Sequence, residues 1–439
     1  DQKLGLPGAR LVDPGAGINE LATDRRGTST PLDYANKQGV NVTAGFTYKL
    51  WEGADLIVDG GVRNKKQQGL SFGFDYLAAE LQTWSFTPRL DIRGNMFGLR
   101  SRILTGIDYY DASYNSPRSA LGGTPIHIYD LSQRSFAAYW QQTIGLTPNT
   151  DLSYGARWQH TSIHARDTFD PLALFAWGSA LNPYDGREDN HALHIGIDHR
   201  FNNTIAVFAR AAHSFRTPNV DERVGNSPSQ TNFALRTQTS SDVEGGIRIT
   251  AGALTVQSSI YYMALTNEIH FSPYDPSTFP FGSNINLDPT ERYGSETSAT
   301  LRINEAFRLR GGFAYTRAQF REGPFTGNDV PLVSRFSGSV GFSWNIWQNY
   351  LVLDADARFW SRRRMDNDQP NWQPTIPSQA TLDLKIGGEV ENFFWSFSVL
   401  NVFNALYYDY AIASSTIPGR FNAYPLPGRT YMLKAGFKL

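Results

Sequence analysis

Hydrophobic and polar residues alternate one by one over long stretches of the chain, which is the period of an extended strand and not of a helix. At the C-terminus Tyr431, Leu433, Ala435, Phe437 and Leu439 alternate with Met432, Lys434, Gly436 and Lys438. Leu351, Leu353, Ala355, Ala357 and Phe359 alternate in the same way with Asp354, Asp356 and Arg358, and Phe336, Val340, Phe342 and Trp344 stand against Ser337, Ser339 and Ser343. One face of each strand is greasy and the other is polar or charged. A soluble sandwich presses such a greasy face onto a second sheet, whereas a large transmembrane barrel turns it to lipid and points the charges at a wet lumen. Periodicity alone is compatible with both.

Strand length and turn spacing separate them. The candidate strands run roughly eleven to sixteen residues, against about five or six in globular sheets. Their connections alternate between short and long, as in outer-membrane barrels with tight periplasmic turns and extended outer loops. Short connections are expected at WEGA from 51, IRGN from 92, LTPN from 146, RFNN from 200, INEA from 303 and NIWQN from 345. Long ones, rich in Gly, Pro, Asn and Asp, are expected over 112–132, 166–188, 215–235, 272–287, 321–331, 363–375 and 408–427. The expected fold is all-β, an antiparallel transmembrane barrel with about seventeen strands in this chain. They begin near residues 39, 54, 79, 96, 133, 150, 190, 203, 237, 253, 289, 306, 332, 349, 376, 392 and 428. If the last strand descends to the periplasm, so does the first, which leaves residues 1–38 as an outer-loop segment and residues 39–439 as barrel. Because such barrels have an even strand count, an odd number of strands is expected upstream. Trp344, Trp347 and Tyr350 flank one inner turn and Phe393, Phe394 and Trp395 follow another, where an aromatic girdle belongs.

Composition removes other classes. Lys plus Arg number 40 against 41 for Asp plus Glu, so no overall field draws the chain to nucleic acid. Cysteine is absent, which excludes disulfides, thiolate metal sites and a Cys nucleophile. Mean hydropathy is -0.38 and no stretch reaches about eighteen apolar residues, which excludes a helical membrane protein and is silent on barrels. The opening DQKLGLPGAR has neither a basic start nor an apolar run, so a secretion signal is expected to be removed or to lie upstream.

Particular segments sharpen the reading. FRTPNVDE at 215–222, SFSVLNVFNALYYDY at 396–410 and PGRTYMLKAGFKL at 427–439, with LPGAR from 6 and NLDPTERYG from 286, resemble the C-terminal barrel of TonB-dependent outer-membrane receptors. Phe215, Arg216, Pro218 and Asn219 form the family motif, for which a structural role is expected: a fixed chain exit at Pro218, a turn at Asn219 and a carboxylate-binding Arg216. The chain departs from the family pattern at its last residue, Leu439, where an aromatic is usual. The resemblance implies a barrel of about twenty-two strands around an N-terminal plug preceded by a TonB box, so the plug and about five strands are missing from this chain. A fragment or one partner of a split receptor is expected, located in the outer membrane of a Gram-negative bacterium. The implied function is uptake of a scarce metal chelate, most of all a ferric siderophore and next cobalamin. The implied partners are membrane lipid and lipopolysaccharide, the TonB complex through the missing N-terminal region, and the small-molecule chelate. A passive porin is the alternative, and a structural or adhesive barrel a third possibility.

Candidate chemistry is sparse. His160 and His164 share a strand face but stand about 13 Å apart, too far for one ion, and His191 and His194 point to opposite faces. These histidines, with His199, read as structural or interfacial. Residues 217–235 contain no histidine, which disfavours haem as cargo. No catalytic motif emerges, so no enzyme, metal centre or cofactor is expected. Asp354 and Asp356 should line the lumen, within reach of Arg308 or Arg310 two strands away. Ligand contacts are expected in the outer loops, at Tyr274 and Phe279, at Arg362, Arg363, Arg364 and Trp372, and at Tyr407, Tyr408 and Tyr410, where stacking rings and charges mix; the arginine run is open to an anionic chelate, to lipopolysaccharide phosphates or to plain solvation.

Overall fold

The computed structural model describes every residue except 1, 6–7, 29, 226–230, 273–282 and 439, with backbone alone for 2–5. One antiparallel sheet of 18 strands dominates it. The short strand Gln2–Gly5 is joined by seventeen long ones. They are β1 Tyr34–Trp51, β2 Ala54–Ser71, β3 Asp75–Met96, β4 Leu99–Ala120, β5 His127–Thr147, β6 Thr150–Phe169, β7 Tyr184–Arg200, β8 Ile205–Arg216, β9 Gln238–Ala251 and β10 Leu254–Thr266. There follow β11 Thr290–Arg302, β12 Phe307–Phe320, β13 Phe336–Trp347, β14 Leu351–Trp360, β15 Gln379–Val390, β16 Phe393–Leu400 and β17 Thr430–Phe437. Each strand pairs with the next in sequence, the up-and-down order the alternation calls for.

The boundaries differ from the sequence expectation in an instructive way. β3 and β4 run to 22 residues, while β16 and β17 have only 8. The stretch 112–132, expected as a long loop, is almost all strand and narrows to 121–126. The turn expected at IRGN lies further on, at Phe97 and Gly98, both with positive φ. β1 begins at Tyr34, not near 39. About nine to eleven tilted residues cross hydrocarbon, so the longer strands rise above the membrane as a collar. There both faces meet water or loops, alternation fades, and a strand reads as a loop.

The two faces are chemically distinct. Paired residues share a face, so the row Leu152, Ile197, Ala209, Gly245 and Ile260 can be followed across β6 to β10. Leu193, Ile195, Val243, Ile260 and Val340 on this face are 57%, 54%, 53%, 69% and 61% exposed. No second layer covers them among the described residues. Rings mark both limits of the band: Trp347 lies 5.3 Å from Tyr350 and Phe393 5.1 Å from Phe437 at the short-turn end. Phe136 meets Trp158 edge-on at 6.2 Å at the other. Beyond Trp158 the same face turns polar, with His160 beside Asp189 and His164 beside Asp185.

The opposite face carries ion pairs: Arg89–Asp59 at 2.7 Å, Arg157–Asp108 at 2.5 Å, Arg210–Asp242 at 2.8 Å and Arg248–Asp198. Arg310 grips Asp356 with two nitrogens at 2.7 and 3.2 Å and donates to Ser343 Oγ at 3.0 Å. Ser343 in turn donates to Asp354 at 2.5 Å. Arg310, and not Arg308, thus pairs with Asp356, while Asp354 has Lys385 at 3.7 Å. Such charges tolerate a wet lumen and would be costly in hydrocarbon.

The sheet is open along one line. No register joins β17 to β1 among the described residues, every residue from Lys37 to Trp51 is exposed, and so are Tyr431 to Ala435. Interior strands such as β7 alternate between exposed and half-buried instead. Gln2–Gly5 covers only the outer end of β1, pairing Gln2 with Lys37 and Gly5 with Tyr34.

Candidate functional site

The cores of this molecule lie at the outer end, where loops fold over the charged face. The motif at 215–222 builds the first. Phe215 and Arg216 close β8, Pro218 is buried, and Glu222 takes an ion pair from Arg216 and a hydrogen bond from the Asn219 backbone N–H at 2.8 Å. That clamp turns Val220 and Val224 onto Tyr114, Tyr129 and Leu131 of β4 and β5, where Phe233 joins them. Arg223, fully buried, donates to the carbonyls of Phe233 and Leu235 at 2.7 and 2.6 Å. The motif's geometry is that of a loop anchor. Replacing Glu222 by Ala should cost the loop about 1.5–3 kcal/mol, since two bonds to one carboxylate are lost. Hydrogen exchange over 217–225 is the measurement, with faster exchange confined to that loop.

A second core roofs the other side. Met365, Ile376, Tyr408, Ala411, Ala413 and Ala423 pack together, with Leu21 from the N-terminal segment against them. Arg10–Asp13 pairs with the strand Phe421–Pro425, so this segment is woven into the outer loops. Buried Asp366 ties three loops at once, accepting from His270 Nε2 at 2.8 Å and Tyr410 OH at 2.6 Å. Burial, and then the bond to Asp366, pushes the Tyr410 hydroxyl well above its ordinary pKa. Gln373 clamps the carbonyls of Ser414 and Ile417 at 2.6 and 2.9 Å.

Below that roof lies a basin of about 810 Å³, within the range of about 300–1,000 Å³ typical of ligand pockets. Its wall is the charged face of β14 and β15, from which Arg358, Trp360 and Asp383 project. Arg363, Tyr407 and Asp409 close it from the loops. Asp383 accepts from the Asn401 N–H at 2.8 Å and stands 3.8 Å from Arg358. Burial, with Asp383 and Asp409 nearby, raises the Tyr407 hydroxyl's pKa.

Of the loop residues singled out in the sequence, Arg363 and Tyr407 line this basin, and the other described ones do not. Tyr408 sits in the loop core, Tyr410 is held by Asp366, and Arg364 reaches Asp368 at 3.5 Å and the Gln373 carbonyl at 3.2 Å. Arg362 and Trp372 are exposed and are not among the basin's lining residues. Tyr274 and Phe279 lie outside the described residues. The basin's own Arg358 and Trp360 were readable as the continuation of the Asp354, Asp356 alternation. Nothing in the Arg362–Arg364 run marks its middle member as the one turned inward. Among the described residues no group of three metal-capable side chains converges.

Fold and site define a membrane-embedded β-wall with an outer vestibule. Residues 4–405 match the sequence model of the family described as TonB dependent receptor-like, beta-barrel, and the chain belongs to that family. Its members are Gram-negative outer-membrane receptors and transporters and not an enzyme family. Three solved structures share the fold. They are the ferric yersiniabactin uptake receptor FyuA of Yersinia pestis (17% identity, TM-score 0.76), the ferric citrate transporter FecA in its unliganded form (16%, 0.77) and the ferric-catecholate import receptor Fiu of E. coli K12 (14%, 0.75). The matches cover 93%, 99% and 98% of this chain, and the chain spans 62%, 65% and 68% of theirs. No curated protein matches the sequence.

Proposed function

We propose that the chain forms most of the wall and the outer loops of an energy-coupled receptor that takes up a scarce metal chelate, a ferric siderophore before cobalamin. The observation that carries this reading is the folded vestibule: a porin needs only an open lumen, whereas here cross-tied loops enclose a basin of ligand size. The open line between β1 and β17 would take further wall strands, an odd number by the even-count rule and about five if the barrel has the family's twenty-two, from elsewhere in the polypeptide or from a partner chain. Gln2–Gly5 sets the register in which that wall meets β1. A plug engaging the TonB complex completes the machine, and the polar collar beyond Trp158 meets lipopolysaccharide. Finding no plug and no TonB box in the complete gene would favour the porin.

Binding by the full-length receptor against a panel of ferric siderophores and corrinoids tests the reading. Affinity for one ferric siderophore is expected, reduced about tenfold when the exposed loop residue Trp372 becomes Ala, as for an aromatic contact. Failure to bind any metal chelate would overturn uptake. Unchanged affinity in the Trp372 variant and in Tyr408→Ala would remove the loop residues from the site.

A further inference from the structure

Among the described residues lining the basin, Arg363 alone has a buried side-chain nitrogen without a partner. Its side chain is 8% exposed, its Nη2 donates to the Asp409 carbonyl at 2.7 Å, and its Nη1 has no partner. No carboxylate lies within ion-pair distance of it among the described residues: Asp409 meets it through the backbone oxygen. Burial pulls this guanidinium below its ordinary pKa, and Asp409 offsets part of the effect. A buried, unpaired cation is unfavourable unless something completes it. The neighbouring Arg358 is half-exposed, and its single carboxylate neighbour, Asp383, stands at a long 3.8 Å and is already engaged by the Asn401 N–H. Trp360 lies on the same inner row of β14 as Arg358, and Tyr407 faces the same basin.

We infer that Arg363 and Arg358 form an anion-binding subsite of the basin, and that the cargo is an anionic chelate offering carboxylate or phenolate oxygens to them. The inference rests on the uptake reading and narrows its substrate class. A planar guanidinium fork suits a two-oxygen acceptor, and a neutral chelate would leave the Arg363 charge uncompensated.

The probes are ferric citrate, an anionic carboxylate chelate, and ferrichrome, a neutral hydroxamate, each titrated against the full-length receptor by quenching of its intrinsic fluorescence. Binding of ferric citrate at least about tenfold tighter than ferrichrome is expected, the effect of a charge-assisted bond. Arg363→Gln should remove that preference, Arg363→Lys should restore part of it, and ferrichrome affinity should stay within about twofold throughout. Arg358→Gln, on a wall strand and half-exposed, keeps the test open if the loop of the Arg363→Gln variant fails to fold. Equal affinities for the two chelates, or variants that leave ferric citrate binding intact, overturn the anionic subsite and leave uptake standing. A receptor that binds neither probe also overturns the subsite, and uptake itself falls only if the wider chelate panel fails as well.

Discussion

Ile260→Arg is expected to destabilise the folded receptor in a bilayer by about 2–4 kcal/mol, although Ile260 is 69% exposed and touches no core. In a soluble protein such a change at so open a site would cost within about 0.5 kcal/mol. The difference arises from the medium: on the row Leu152, Ile197, Ala209, Gly245, Ile260 the surrounding solvent is hydrocarbon, where a guanidinium loses its hydration. Ser298→Arg supplies the control. It is exposed on the opposite face, two residues from Glu296 along β11, and should shift stability by less than about 0.5 kcal/mol. Urea titrations of both variants folded into lipid vesicles read the contrast. Equal costs at the two sites would mean that both faces meet the same medium.

Asp167→Ala should have an effect of similar size at the outer end. The side chains of Asp167 and His127 are both fully buried and 3.0 Å apart. The carboxylate also accepts the Leu181 N–H at 3.0 Å, while the far ring nitrogen of His127 faces the Trp177 carbonyl at 2.9 Å. One side chain therefore holds β5, β6 and the loop 170–183 together. Removing it strands a buried imidazole and a backbone donor, a loss of about 3–5 kcal/mol for a buried pair. Hydrogen exchange in 170–183 should accelerate by two or more orders of magnitude, on the order of 1.4 kcal/mol per tenfold, with the lipid-facing strands unchanged. Unaltered exchange there would show that the loop is held by something else.

The wall was legible in the sequence because the bilayer enforces a strict period on it. Tyr431 to Phe437 and Leu351 to Phe359 fall on the faces their alternation assigns. The Arg310–Asp356 contact was reachable too, since the pairing of neighbouring strands places residues two strands apart on one row. Where strands leave the membrane the constraint lapses, and the collar segments 112–120 and 127–132 read as loop. The vestibule was largely hidden for a different reason. Its contacts join residues far apart in the chain, such as His270 with Asp366 and Arg25 with the Leu426 carbonyl, and no local spacing encodes them. Composition marked the aromatic and charged loops as interesting, but whether Tyr408 turns into a core or Arg363 into a basin is decided by tertiary packing.

The account stands on the orientation of the strands in the membrane, and the absence of native cysteine makes that directly measurable. Single cysteines placed along β10 from Val256 to Tyr262 in the full-length receptor, reacted in intact outer membranes with a water-soluble maleimide, give a reactivity profile. A two-residue rhythm is expected, with 257 and 261 labelled and 256, 258, 260 and 262 protected; a membrane-permeant fluorophore attached at the second set should be quenched by a lipid-dissolved spin label. A profile without that rhythm, or protected positions that the lipid-dissolved quencher does not reach, would contradict a wall with hydrocarbon on one side and water on the other.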